Sequence, residues 1–293
     1  MNAPLIIDTD IGGEPDDAMA LAVAARHLPE LALVITTDET GGERARFTRH
    51  FLDLLGRPEV PVTAGRELSA TPYFWVRDLI PGAVPPQHDD PAAAVAAVCR
   101  RTRGPVRWLG LGPMSNLADV LTGRPELADR LEVTQMGGAL SYRDPTQAQY
   151  NFRLDPDAAR LALAAARRLR LVTYDVTFAP AIAISAGSRL HEDLAGSPCE
   201  WATVLAAQCD RYYRGYYPST IPHTPLALSA AAGESFVDFT RQRLAVDAYG
   251  RTRLDPDGTP VDLSTHADHT RFAAWLHARL TPTDVPADRP GRR

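Results

Sequence analysis

The chain has 293 residues, 45% of them hydrophobic and 23% charged, which is the composition of a globular protein long enough for one large core or two small ones. Its formal net charge of −5 argues against a basic face for nucleic acid or an anionic membrane, and no apolar run approaches the roughly 20 residues of a membrane span. Three cysteines without CxxC spacing give no sign of a disulfide framework or zinc site, and the absence of lysine excludes Schiff-base or P-loop lysine chemistry. A cytoplasmic location is the default expectation.

Leu5-Ile6-Ile7 reads as a buried strand, Gly12, Gly13 and Pro15 as a turn, and the Ala/Leu run from Ala18 as a helix. Leu31 to Thr37 is a second strand, Arg44 to Leu55 an amphipathic helix, and Val60 to Val62 a short strand ending at Ala64-Gly65. Residues 66–91 form a Pro-rich loop around Tyr73, Phe74 and Trp75, a length that favours functional cover over linker. Ala92 to Arg101 is helical and Val106 to Leu111 a strand, and Pro113 to Asn116 carry capping chemistry for a helix opening at Ser115. Val133 to Met136 is a strand running into Gly137-Gly138, and Asp155-Pro156-Asp157 starts a helix. Leu169 to Thr173 is a strand ending in Tyr174-Asp175. A helix from Trp201 leads into Tyr212, Tyr213, Tyr216 and Tyr217, then a loop to His223. Arg243 to Ala248 and Thr259 to Leu263 bracket a DPDG turn as a hairpin, a last helix spans about Asp268 to Leu280, and the tail after about 282 is expected to fray. Strand and helix alternating at this pace predict βαβ units, a parallel sheet and a single α/β domain over 1–293.

The first turn holds five carboxylates within ten residues: Asp8, Asp10, Glu14, Asp16 and Asp17. Such a density calls for a cation or a polyhydroxylated ligand, and a strand tip feeding a helix is where α/β proteins place one. The competing reading is a solvated acidic turn at a helix N-terminus, which needs only one or two of those groups.

DTDIG followed by DDAMAL resembles the N-terminal signature of the inosine-uridine preferring nucleoside hydrolase family. The resemblance continues through LGPMSNL (111–117), Met136-Gly137-Gly138, Tyr150-Asn151 ahead of Asp155-Pro156, Asp175-Val176-Thr177 and His223-Thr224-Pro225-Leu226-Ala227. It implies a nucleoside hydrolase-like, Rossmann-type open sheet and calcium-dependent hydrolysis of an N-glycosidic bond, giving free base and sugar. Asp10 would be the general base acting on a calcium-bound water, with Asp17, the Leu111 carbonyl and the Thr224 position completing the metal site. Asp16 would bind the ribose diol, and Met136, Gln149 and Asn151 the sugar. His223 would serve the leaving base, with Tyr213 and Tyr217 as stacking candidates, and Asp8 would support the acids from behind. A homodimer or homotetramer is expected.

Three departures surround this site. Thr224 stands where the family has a calcium-ligating aspartate, Gln149 where it has a sugar-binding glutamate, and Asp38-Glu39-Thr40-Gly41-Gly42 where it has glycine then asparagine. Asp38 or Glu39 is a candidate replacement for the lost carboxylate. The departures also keep open a non-hydrolytic nucleoside- or sugar-binding protein with a weakened metal site. A haloacid-dehalogenase-type phosphatase fits Asp8-x-Asp10 after a strand but uses a lysine that this chain lacks.

Overall fold

Residues 3–69 and 73–282 are described by a computed structural model. The first half runs β1 Leu5–Thr9, α1 Asp16–His27, β2 Leu31–Thr36, α2 Glu43–Leu54, β3 Val62–Ala64, α3 Pro91–Arg100, β4 Val106–Gly110, α4 Ser115–Gly123, β5 Leu131–Met136, α5 Tyr150–Leu154, α6 Pro156–Ala165 and β6 Arg168–Val172. There follow α7 Tyr174–Thr177, β7 Ile184–Ser185, α8 Arg189–Ala195, α9 Glu200–Gly215, β8 Ser219–Thr220, α10 His223–Ala231, β9 Val237–Val246, β10 Thr252–Leu254, β11 Thr259–Ala267 and α11 His269–Leu280.

Among the described residues, nine strands form the main sheet in the order β10-β9-β11-β6-β5-β4-β1-β2-β3. From β3 across to β11 every pairing is parallel, and β9 and β10 close that end antiparallel. A parallel sheet is covered on both faces, so its strands are apolar throughout, and β1 is buried along its whole length. Leu5 and Ile7 pack into a core with α1, α2 and α8 to α11, whereas Ile6 packs oppositely with α3, α4 and α6. The expected α/β fold with a mainly parallel sheet is therefore present.

The chain winds from β1 out to β2 and β3, then crosses back to β4. Strand order thus reverses between β1 and β4, and their carboxyl ends frame the crevice where open α/β sheets bind ligands. Asp10 follows one of these ends and Leu111 the other.

Three local expectations are corrected. Helix α4 has no side-chain cap: Ser115 Oγ donates to Asp155 at 2.6 Å and Asn116 turns to Asp8, because both are buried and find partners across the fold. Tyr174-Asp175 opens the one-turn helix α7. The DPDG turn joins β10 to β11, which lie on opposite sides of β9, so the hairpin is a three-stranded antiparallel unit. The tail beyond 282 lies outside the described residues.

Candidate active site

Side chains alternate along β1, so Asp8 shares the face of Ile6 and points toward α4, where Asn116 Nδ2 donates to it at 2.8 Å. Burial pushes the Asp8 carboxyl up to about 8, against the lowering effect of that hydrogen bond. Asp10 lies one residue beyond the strand. Burial raises it to about 6, Arg44 opposes the rise, and Asp38 adds to it. Asp16 and Asp17 begin α1. Asp16 accepts the Thr224 N–H at 3.0 Å, so the N-termini of α1 and α10 converge on one carboxylate. Burial lifts Asp16 to about 7. Asp17 accepts the Thr9 hydroxyl, and burial together with the charges of Asp10 and Asp16 holds it well above the usual carboxylate range. Glu14, given no role from the sequence, accepts Thr220 Oγ1 at 2.6 Å and the Ile221 N–H at 3.3 Å, and burial pushes it up to about 8. These carboxyls cannot all ionise together without compensation.

Across the crevice, Asn151 Nδ2 donates to the Leu111 carbonyl at 2.6 Å and the Met136 carbonyl at 3.1 Å, fastening the ends of β4 and β5. The Leu111 carbonyl keeps its second lone pair. Gln149 is the N-cap of α5. Its Oε1 accepts Asn151 N–H at 3.1 Å and Gly138 N–H at 3.2 Å, while Nε2 reaches Met136 Sδ at 3.8 Å. Asn151, Met136, Gln149 and Leu111 are therefore one buried cluster.

His223 stacks with Tyr174 and Phe178, ring centroids 5.8 and 6.3 Å away, and its Nδ1 pairs with Thr177 Oγ1 at 2.8 Å. Burial, reinforced by the Arg143 charge, lowers its pKa to about 4. At neutral pH it is a neutral imidazole. Tyr213 is committed elsewhere, its hydroxyl donating to the Ile184 carbonyl at 2.7 Å, and Tyr217 is 56% exposed. Tyr212 is the buried tyrosine facing the Asp10–Glu14 turn, where the charges of Glu14 and Asp16 contribute to raising its pKa. Helical spacing already carried that signal, since 201, 205, 209 and 212 fall on one face of α9.

The aromatic loop does cover the acidic turn. Trp75 N–H donates to the Gly12 carbonyl at 2.7 Å. Gly12, at φ +98°, leaves room for Phe74, which a Cβ there would meet at 2.5 Å. Beneath this cover lies Arg44, fully buried at the start of α2, whose guanidinium carries the charge that lowers the pKa of both Asp10 and Asp17. Asp38 pairs with Arg44 at 3.3 Å and accepts the Ser69 N–H at 2.9 Å. Glu39 accepts the backbone N–H groups of Thr40, Arg44 and Ala45 and the Thr36 hydroxyl. Glu39 is thereby spent on the start of α2, while Asp38 adds its charge to the field at Asp10.

A profile of the inosine-uridine preferring nucleoside hydrolase family matches residues 5–274. The chain belongs to that family. The pyrimidine-specific ribonucleoside hydrolase RihA of Salmonella paratyphi B is 29% identical over 231 residues, covering 73% of this chain and 72% of that protein. RihA of Shewanella oneidensis is 29% identical over 194 residues, which span 60% of each. Among solved structures, the purine-preferring ribonucleoside hydrolase of Gardnerella vaginalis superposes with a TM-score of 0.80 at 23% identity, covering 95% of this chain and 98% of that one. The inosine-uridine preferring nucleoside hydrolase of Bacillus anthracis gives 0.76 at 18%, covering 96% and 99%.

Nucleoside hydrolase membership raises the question of a cation. Among the described residues, no three His, Cys, Asp or Glu side chains are arranged as a metal cage. The crevice instead offers carboxylates, the Leu111 carbonyl and two buried hydroxyls, Thr224 Oγ1 beside the Asp16 carboxylate and Thr37 Oγ1, which has no hydrogen-bond partner among the described residues. These are hard oxygen donors that suit calcium chemically, in a set short of carboxylates. The site also has little slack. A Cβ on Gly112 would lie 2.6 Å from Thr37 Cγ2 and 3.0 Å from Asp10 Oδ1. Gly112→Ala is expected to displace the Asp10 carboxylate and lower turnover by about 10²-fold, while costing only about 1–3 kcal/mol of stability. Paired kinetics and denaturant unfolding check this.

Proposed function

We propose that this nucleoside hydrolase family member cleaves the N-glycosidic bond of a nucleoside or nucleoside-like compound, releasing free base and sugar. The observation that carries the reading is the gathering of buried Asp16 and Asp17 with half-buried Asp10 and Glu14, mutually repelling, beside the crevice between β1 and β4. Cleavage passes through an oxocarbenium-like state, and a fixed negative field stabilises positive charge developing on the sugar ring. Asp10 takes the proton of the attacking water. Asp16 accepts sugar hydroxyls, and the Asn151–Met136 cluster shapes the wall beside them. His223 meets the departing base as a neutral hydrogen-bond partner, with Tyr174, whose buried hydroxyl has no partner among the described residues, as a second donor.

Asp10, Asp17, the Leu111 carbonyl and Thr224 are the residues that would hold calcium. A bound cation would orient the sugar diol and acidify a water. A neutral hydroxyl at position 224 implies weaker calcium binding than a carboxylate there. A homodimer or homotetramer belongs to the same reading, with sedimentation as its check.

The test is release of base and sugar across a panel of purine and pyrimidine ribonucleosides, followed by chelation. Release that stops with chelator and returns with calcium supports the full reading. The commitment of Gln149 to backbone groups favours one other reading, a protein that binds a nucleoside or sugar without cleaving it. Calorimetric binding with no release across the panel would establish that reading instead.

A further inference from the structure

We propose that Arg44 is a positioning residue of this site, tying the Asp10–Ile11 turn to Asp38 and to the Tyr73–Trp75 strap so that carboxylate and cover are held as one unit. The inference rests on the hydrolase reading above, because the carboxylate being positioned is the one assigned as base. Each guanidinium N–H has an acceptor. Nε donates to the Asp38 carbonyl at 2.7 Å, and Nη1 to the carbonyls of Asp10 and of Ile11, the latter at 2.8 Å. Nη2 donates to Asp38 Oδ2 at 3.3 Å and to the Tyr73 carbonyl at 3.0 Å. The plane also lies over the Phe74 ring, 5.4 Å from its centroid.

Four separate segments therefore meet on one side chain: the turn after β1, the turn after β2, the start of α2 and the strap. A planar five-donor fork meets this set, whereas an ammonium offers three donors from one point. Asp38 bears out the constraint. Among the described residues it is the non-glycine with positive φ, at +49°, and both its carbonyl and its carboxylate accept from Arg44. Strain of that kind persists where the surroundings over-determine it. Removing the guanidinium leaves the Asp10 and Ile11 carbonyls and the strap without their shared partner, freeing the carboxylate to shift while the sugar-contacting Asn151 cluster stays in place.

The test compares Arg44→Ala with the double variant Asp38→Asn/Arg44→Met, which also removes the stranded buried carboxylate and so protects folding. Both are expected to lose about 10²-fold in kcat with KM held within a few-fold, the signature of a misplaced group rather than lost substrate contacts. Free guanidinium ion is expected to restore part of the Arg44→Ala activity, and Arg44→Lys to restore little. Hydrogen exchange supplies a readout independent of turnover: amides of 10–14 and 73–76 are expected to exchange faster while those of β4 and β5 stay unchanged. Unaltered kcat, a rise in KM alone, or a uniform increase in exchange would each overturn the positioning role. If the wild-type protein cleaves no nucleoside, the hydrolase reading falls by itself. Arg44 is then judged on exchange: local loosening sustains the tie, and absent or uniform change refutes it.

Discussion

Asp10→Asn is expected to lower base release by about 10³-fold, in the middle of the range that a positioned general base supplies. The substitution is nearly isosteric and leaves the backbone carbonyl that Arg44 holds, so the turn after β1 keeps its anchor. Its effect on stability should run the other way. Burial raises the wild-type carboxyl to about 6, which means that ionising it costs free energy in the folded state. An amide removes that cost and one member of a repelling group, so the metal-free variant should melt at an equal or higher temperature than wild type at pH 8. An inactive protein that is at least as stable assigns the loss to chemistry. Product release across the nucleoside panel, with saturating calcium, reads the first effect and thermal unfolding the second. Retention of activity within tenfold would remove Asp10 from the role of base.

The second large effect is the pH dependence of stability in the metal-free protein. Asp10, Asp16, Asp8 and Glu14 are raised to about 6, 7, 8 and 8, chiefly by burial, and Asp17 is raised as well. A carboxyl whose folded pKa is raised binds its proton more tightly in the native state than in the unfolded chain. Its contribution is fully present below about pH 4 and is lost as pH climbs through the folded values. Unfolding free energy should therefore fall between pH 5 and pH 8.5, by an amount on the order of several kcal/mol once coupling among the groups is allowed for. A divalent cation binds the ionised carboxylates, so added calcium should flatten the decline and act most strongly at the alkaline end. Denaturant titrations across that pH range, with chelator and with calcium, measure both. A stability that is level or rises over the interval without metal would contradict a buried, repelling cluster.

Much of this architecture was legible in the chain. Leu5-Ile6-Ile7 and Leu31 to Thr37 read as strands because a central parallel strand is apolar on both faces, and the glycines and proline after Asp10 mark a turn whatever surrounds them. Asp10, Asp16 and Asp17 stood out because like charges so close in sequence are costly unless a ligand accounts for them. Arg44 carried no such signal. An arginine in the first turn of an amphipathic helix reads as a solvated side chain, and its burial depends on carbonyls contributed by the turn after β1, the turn after β2 and the strap. Asn116 and Ser115 mislead for a related reason. Both residue types cap helices, and their local pattern cannot show that buried carboxylates elsewhere claim them first. Among the tyrosines, Tyr213 and Tyr217 are prominent in the YYRGYY run, whereas the helical period of α9 places Tyr212 on its buried face.

By itself the sequence determined the α/β alternation, the acidic turn at the first strand's end and the family to which the chain belongs. Those properties follow from local patterning and short-range motifs. Tertiary structure alone decided which groups share the crevice. The strand order reverses at β1 and β4, and packing over that end brings Thr224 to Asp16 over 208 positions and Thr220 to Glu14 over 206, while the strap's Tyr73 carbonyl reaches Arg44 over 29. Such pairings are set by how layers pack, since a buried polar group takes the partner that the fold delivers rather than the one its neighbours in sequence offer.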